Sequence, residues 1–120
     1  MLNLDTHILI YALQGELTSK EKKILSAHHW GISGIVLWEL HKLFELGRIN
    51  LDIEDSEVFG VLSKLTVWPI DLHVARALKQ LDFKGDPADE IIAATSVHHR
   101  VPLITRDRRI LGSQVVPFGV

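Results

Sequence analysis

The chain of 120 residues contains no cysteine, a single methionine and a single tyrosine, and aromatic residues make up only 7% of it. Without Cys there can be no disulfide, thiolate zinc site, iron-sulfur cluster or cysteine nucleophile, and a reducing, cytoplasmic setting is the natural expectation. No window approaches the roughly 20 apolar residues that a membrane helix needs, so no membrane association is expected. The N-terminal run Met1-Leu2-Asn3-Leu4-Asp5 has no basic region to open a signal peptide. Pro/Gly/Ser-rich linkers, charge blocks and internal repeats are also missing, which points to one domain over residues 1–120. Nor is there an excess of positive charge. The 13 Lys+Arg and 15 Asp+Glu give a net charge of -2, which at first argues against a nucleic-acid partner. What is present is a 47% apolar composition, enough for a chain of this length to bury a core unaided.

Apolar spacing alternates between short extended runs and longer helical ones. The pattern predicts strands at Leu2–Asp5, Trp30–Ser33, Val67–Ile70 and Pro102–Thr105, and an edge strand at Val115–Phe118. It predicts helices at Ile8–Leu13, Lys20–Ala27, Ile35–Leu46, Ser56–Leu65, His73–Leu81 and Pro87–His98. Gly47 is placed to close the third helix in a left-handed conformation, and Asp86 to cap the last. Alternating strands and helices imply a mostly parallel sheet with helices on both faces, in which ligands bind beyond the carboxyl ends of the strands.

Acidic residues fall where such a site would lie. Asp5 ends the first strand, and Asp107 comes just after the strand Pro102–Thr105. The plain alternative for each is a loop carboxylate that caps the next helix. Glu39 sits in the apolar helical run Ile35-Val36-Leu37-Trp38-Glu39-Leu40, where its i+4 neighbour is Leu43 and only Lys42 at i+3 offers an ordinary ion pair. Asp86 and Asp89 frame Asp86-Pro87-Ala88-Asp89-Glu90. An acid-proline start is also what a plain helix N-terminus looks like, but three acids in five residues exceed what capping requires.

Convergence of Asp5, Glu39, Asp89 and Asp107 would cost energy, because two carboxylates about 4 Å apart repel by about 4 kcal/mol at an effective dielectric near 20. Such a group shifts its pKa values or binds cations. Oxygen donors without His or Cys suit Mg²⁺ or Mn²⁺ and can serve phosphodiester hydrolysis. The seven histidines include the adjacent pairs His28-His29 and His98-His99, which point to different sides of a helix. No His-x-x-x-His spacing occurs, and His7 is as well explained by the start of a helix as by a site.

Leu4-Asp5-Thr6-His7, Trp38-Glu39 followed by Gly47-Arg48-Ile49, Asp86-Pro87 with Asp89, and Thr105-Arg106-Asp107 together resemble the PIN domain in its VapC-type toxin branch. The resemblance spans essentially the whole chain. It implies a three-layer α/β/α sandwich around a mostly parallel sheet, and a Mg²⁺- or Mn²⁺-dependent endoribonuclease, the toxin of a toxin-antitoxin pair. It assigns Asp5, Glu39, Asp89 and Asp107 to metal binding and catalysis, Asp86 as an accessory acid, and Thr105 and Thr6 as supports. It further implies an RNA substrate (tRNA, rRNA or mRNA), a small antitoxin partner and a homodimer. Relatives often carry an aromatic residue and an Arg around the third acid, where this chain has Ala88 and Glu90, so Arg106, Arg108 and Arg109 become the candidates for RNA contact.

Two other classes remain. A receiver-type Mg²⁺-binding signalling module would use Asp71 after a central strand, but it also wants a Lys after the late strand, which here ends in Thr105-Arg106-Asp107. A catalytically silent PIN-fold binding or dimerisation module would have no need of four mutually repelling acids. The charge also reads differently once the acids are placed. With four of the 15 acids assigned to a metal site, the remaining 11 face 13 Lys+Arg. The rest of the surface is then mildly basic, and RNA affinity should depend on metal as well as on salt.

Overall fold

The computed structural model describes residues 1–119. Its elements run β1 (Leu2–Leu4), α1 (Thr6–Gln14), α2 (Ser19–Ser26), β2 (Trp30–Ser33), α3 (Gly34–Glu45), α4 (Ser56–Leu62), β3 (Thr66–Trp68), α5 (Leu72–Ala77), a 3₁₀ turn (Leu78–Gln80), α6 (Pro87–His99), β4 (Leu103–Ile104) and α7 (Arg108–Leu111). The four strands form one sheet in the order β3-β2-β1-β4, and every pairing is parallel. Parallel pairing forces each connection through a crossover, and the helices supply those crossovers. The result is the layered α/β arrangement expected from the alternation of the sequence. Among the described residues, no helix is long and apolar enough to cross a membrane.

Strands buried on both faces read as continuous apolar runs rather than alternating ones; β4 follows that rule, and β1, equally buried, departs from it only at Asn3. Leu2, Leu4, Leu103 and Ile104 are each at most 3% exposed. Ile8 and Leu9 of α1, Val36 and Leu40 of α3, and Ile92 of α6 close over them with Ile110 of α7. Each fully buried Leu or Ile contributes roughly 1.5–3 kcal/mol against exposure. One polar residue sits among them. Asn3, fully buried in β1, donates from Nδ2 to the Ile92 carbonyl (3.1 Å) and to Ser96 Oγ (2.9 Å). This ties α6 to the central strand one turn beyond Asp89.

The helix limits follow local chemistry. α1 starts at Thr6, two residues earlier than apolar spacing indicates, because Asp5 is its N-cap. α3 ends where Gly47 takes φ +73°, as its glycine predicted. Gly31 is required for a different reason: a Cβ there would lie 2.5 Å from the indole of Trp68. The expected helix His73–Leu81 is α5 followed by the 3₁₀ turn.

Two expectations need correction. The edge strand Val115–Phe118 is reduced to pairing that begins at Pro117, with a single parallel bridge from Leu103 to Phe118. The reason is that Ser113 Oγ accepts the N–H groups of both Val115 and Val116, so they are not available to a ladder. The segment after Asp107, where the apolar spacing predicts no helix, contains the four-residue helix α7.

Candidate active site

Asp5, Glu39, Asp86, Asp89 and Asp107 line one cleft of about 300 Å³, together with His7, Tyr11 and Arg106. It opens beyond the carboxyl ends of β1 and β4, where a parallel sheet places its ligands. Asp5 follows β1 directly, Thr105 follows β4, and Asp107 is two residues further on. Glu39 comes from α3 and Asp89 from the first turn of α6.

The acids are held by a chain of hydroxyls. Asp5 is 6% exposed; its Oδ1 accepts from the Thr6 N–H (2.8 Å) and its Oδ2 from the Thr105 hydroxyl (2.6 Å). Thr105 Oγ1 in turn accepts the Asp107 N–H at 3.0 Å. The buried Thr6 hydroxyl donates to Glu39 Oε1. Glu39 therefore does not use Lys42, which pairs with Glu45 instead. Asp107 caps α7 through one oxygen, accepting from the N–H groups of Arg109 and Ile110, so its second oxygen takes no part in the cap. Asp86 stands at the N-cap of α6 but accepts no cap bond; its exposed carboxylate is free to face the cleft.

Crowding shows in the ionisation of these groups. Burial raises the pKa of Asp5 against the opposing bonds from Thr105 and Thr6, with Asp107 adding to the rise. Glu39 is also raised, first by burial, with Asp5 and Asp86 adding to it and the Thr6 bond opposing. Asp89 is pushed to about 6 by burial and then by Asp5, Asp107, Glu39 and Asp86. His7, in the cleft wall, offsets part of the rise at Asp5 and Glu39, but the one guanidinium in that wall is taken. Arg106 donates to Glu21 through Nε (2.8 Å) and Nη2 (2.6 Å), and lies 4.1 Å from the centroid of the Tyr11 ring.

All-oxygen donors under mutual repulsion are the chemistry that a hard divalent cation relieves, and in kind the donor set fits Mg²⁺ or Mn²⁺. Among the described residues, however, no three His, Asp or Glu side chains already stand close enough together to hold an ion. The acids are gathered around one cleft and restrained by hydroxyls and caps, not closed on a point.

Of the three arginines, Arg106 is committed to Glu21, Arg109 donates to the Lys84 carbonyl at 3.1 Å, and Arg108 is exposed on α7. Asp71 caps α5 through the Val74 N–H and does not line the cleft. Glu90, in the place of the family's usual residue, accepts the Gly85 N–H at 2.9 Å and so fixes the turn before α6. Asn3, Tyr11 and Glu21 were not singled out in the sequence. Asn3 alone carried a local signal, a lone amide inside an apolar strand. Glu21 looks like part of a wet lysine-rich face until its partner 85 positions away is placed beside it.

Comparison with known proteins follows the same lines. The family model described as PIN domain matches residues 3–112. Ribonuclease VapC22 of Mycobacterium tuberculosis (strain ATCC 25618 / H37Rv) is 31% identical over 114 residues, covering 89% of this chain and 87% of the relative. Among solved structures, a toxin-antitoxin complex from Klebsiella pneumoniae superposes with a TM-score of 0.70 at 27% identity, over 93% of this chain and 92% of that one. VapBC2 from Rickettsia felis, bound to a DNA fragment from its promoter, gives a TM-score of 0.74 at 18% identity, over 98% and 97% of the two chains, and supports the fold alone.

Proposed function

The chain belongs to the PIN domain family, and from that premise we propose that it is a VapC-type endoribonuclease, dependent on Mg²⁺ or Mn²⁺, that acts as the toxin of a toxin-antitoxin pair. The observation that carries this reading is the convergence of five carboxylates in one cleft, with Asp89 raised to about 6 by burial and by the other four. A fold under no demand for cations would gain stability by replacing them.

In this proposal Asp5, Glu39, Asp89 and Asp107 hold the metal, with Asp86 at the rim. The bound ion would supply an acidified water and neutralise charge on the phosphodiester. The protein's own part is positional. Thr105 holds the Asp5 carboxylate and the Asp107 backbone in one register. Thr6 keeps Glu39 turned toward Asp5. Asn3 sets the depth of α6, and with it Asp89. RNA as substrate follows the mycobacterial relative, a ribonuclease, and a small antitoxin partner follows the Klebsiella toxin-antitoxin complex. A homodimer is proposed on the exposed apolar side chains Leu46, Phe59 and Leu72.

Incubating the protein with total RNA, with and without Mg²⁺ or Mn²⁺ and beside an Asp5→Asn variant, tests the reading. Cleavage is expected only with metal and should fall at least 100-fold in the variant, a loss on the scale of removing one electrostatic group from a preorganised site. Equal cleavage by Asp5→Asn, or cleavage that survives chelation, would defeat the assignment.

A further inference from the structure

A second polar site lies at the other end of α6. α5 and the 3₁₀ turn present His73, Arg76, Lys79 and Gln80 along one side, and His98 from the last turn of α6 completes a cavity of about 390 Å³ over Ala77. No carboxylate lines it. Among the described residues, neither Arg76 nor Lys79 takes part in an ion pair, whereas Arg106 and Lys42 are both paired. The His73 and His98 rings stack with centroids 5.2 Å apart and planes 6° from parallel, and His98 meets His99 edge-on at 4.6 Å. The pKa of Asp71, at the start of α5, is held down first by the Val74 N–H that it accepts as the cap of the helix and further by His73 and His98. Two unpaired cations and imidazole N–H groups around a concave surface focus positive potential on one point.

We propose that this cavity binds a backbone phosphate of RNA. The choice of RNA rests on the ribonuclease reading of the cleft. Five carboxylates make the cleft a poor place to capture a polyanion, so attraction has to come from elsewhere on the surface. α6 has 13 residues, so its two ends lie roughly 20 Å apart, within reach of a single folded RNA. Asp89 stands at one end and His98 at the other. Arg76 and Lys79 then act as an anchor that holds one phosphate while a neighbouring stretch of the chain reaches the acids.

The test uses fluorescently labelled bulk transfer RNA, read by anisotropy at pH 7 in EDTA across 50–200 mM KCl, so that no turnover intervenes. Removing that phosphate contact with Arg76→Ala/Lys79→Ala should weaken binding about tenfold near 100 mM salt, and should reduce the slope of log K against log salt by about 1. A Lys22→Ala/Lys23→Ala variant, with the same change of net charge on α2, should keep the wild-type slope. All four residues are exposed, and matched circular dichroism and melting temperatures confirm that the variants fold. Lys79→Gln alone should lose about half of the slope change.

Identical affinity and slope for the Arg76/Lys79 variant and wild type would overturn the proposal. So would an equal loss in the Lys22/Lys23 control, an absence of RNA binding by the wild type, or an equal loss of affinity for polyglutamate, which would make the cavity a general polyanion site. The result does not depend on cleavage. If RNA binding shifts as expected but no metal restores cleavage, the nuclease reading fails and the phosphate site stands.

Discussion

Glu21 and Arg106 show how much a single pairing decides. The Glu21 side chain is only 11% exposed and accepts two charge-assisted bonds from Arg106, which holds its pKa down at about 2. A depressed carboxylate pKa stabilises the fold above the ordinary value near 4.5, and that stabilisation is lost as pH falls from there toward 2. The site acids work in the opposite direction. Asp5, Glu39 and Asp89 are raised, so in the metal-free protein their ionisation weakens the fold as pH rises. A comparison of Glu21→Gln with wild type isolates the pair from that background. The variant should be less stable by about 1–2 kcal/mol at pH 7, the guanidinium being open to water on one side. The difference should shrink steadily below pH 4.5, as read by urea denaturation at pH 7, 4 and 3. A constant difference across that range would mean that the pair does not set the Glu21 ionisation.

Among the elements, the helix starts separate capping from function. Asp55 caps α4 by accepting from the N–H groups of Glu57 and Val58, whereas Asp86 heads α6 and accepts none. An N-cap is worth typically about 1 kcal/mol. Asp55→Ala should therefore cost about that much, roughly 4 °C of melting temperature, and leave RNA cleavage unchanged. Asp86→Ala should cost little stability while lowering cleavage, and a thermal melt beside a cleavage assay on each variant reads both. Equal destabilisation by the two would make Asp86 an ordinary cap.

The same contrast explains what could be read in advance. The Asp86-Pro87 start, the strand-end acids and the glycine closing α3 carry local signals, because caps, turns and strand ends depend on near neighbours. α7 did not, being four residues long and too short for a periodic pattern. The stretch Val115–Phe118 looked like a strand, but its backbone donors are captured by Ser113, which apolar spacing does not record. Within the cleft, the identity of the acids was legible from their positions, and the partners that orient them were not. Thr105 reaches Asp5 across 100 positions and Thr6 reaches Glu39 across 33, distances that only the sheet topology closes.

For the whole molecule, the net charge of -2 hides an uneven distribution, with acids concentrated in the cleft and unpaired cations at the other end of α6. A folded chain that gathers carboxylates in this way stores repulsion that the unfolded chain does not have, and a cation that binds only the folded state releases it. By linkage the gain is about 2.7 kcal/mol when free metal is at 100 times its dissociation constant. Mn²⁺ at saturating concentration should therefore raise the melting temperature of the wild type by several degrees. In Glu39→Gln two effects act together. The metal-free protein loses one of the charges that raise Asp89, so it starts from a higher melting temperature, and it offers the ion one donor fewer, so the rise is smaller. Melting curves of both proteins with and without Mn²⁺ measure the two quantities separately. An identical rise in wild type and Glu39→Gln would remove Glu39 from the metal site, and a lower starting temperature in the variant would show that its bond from Thr6 outweighs the repulsion it adds.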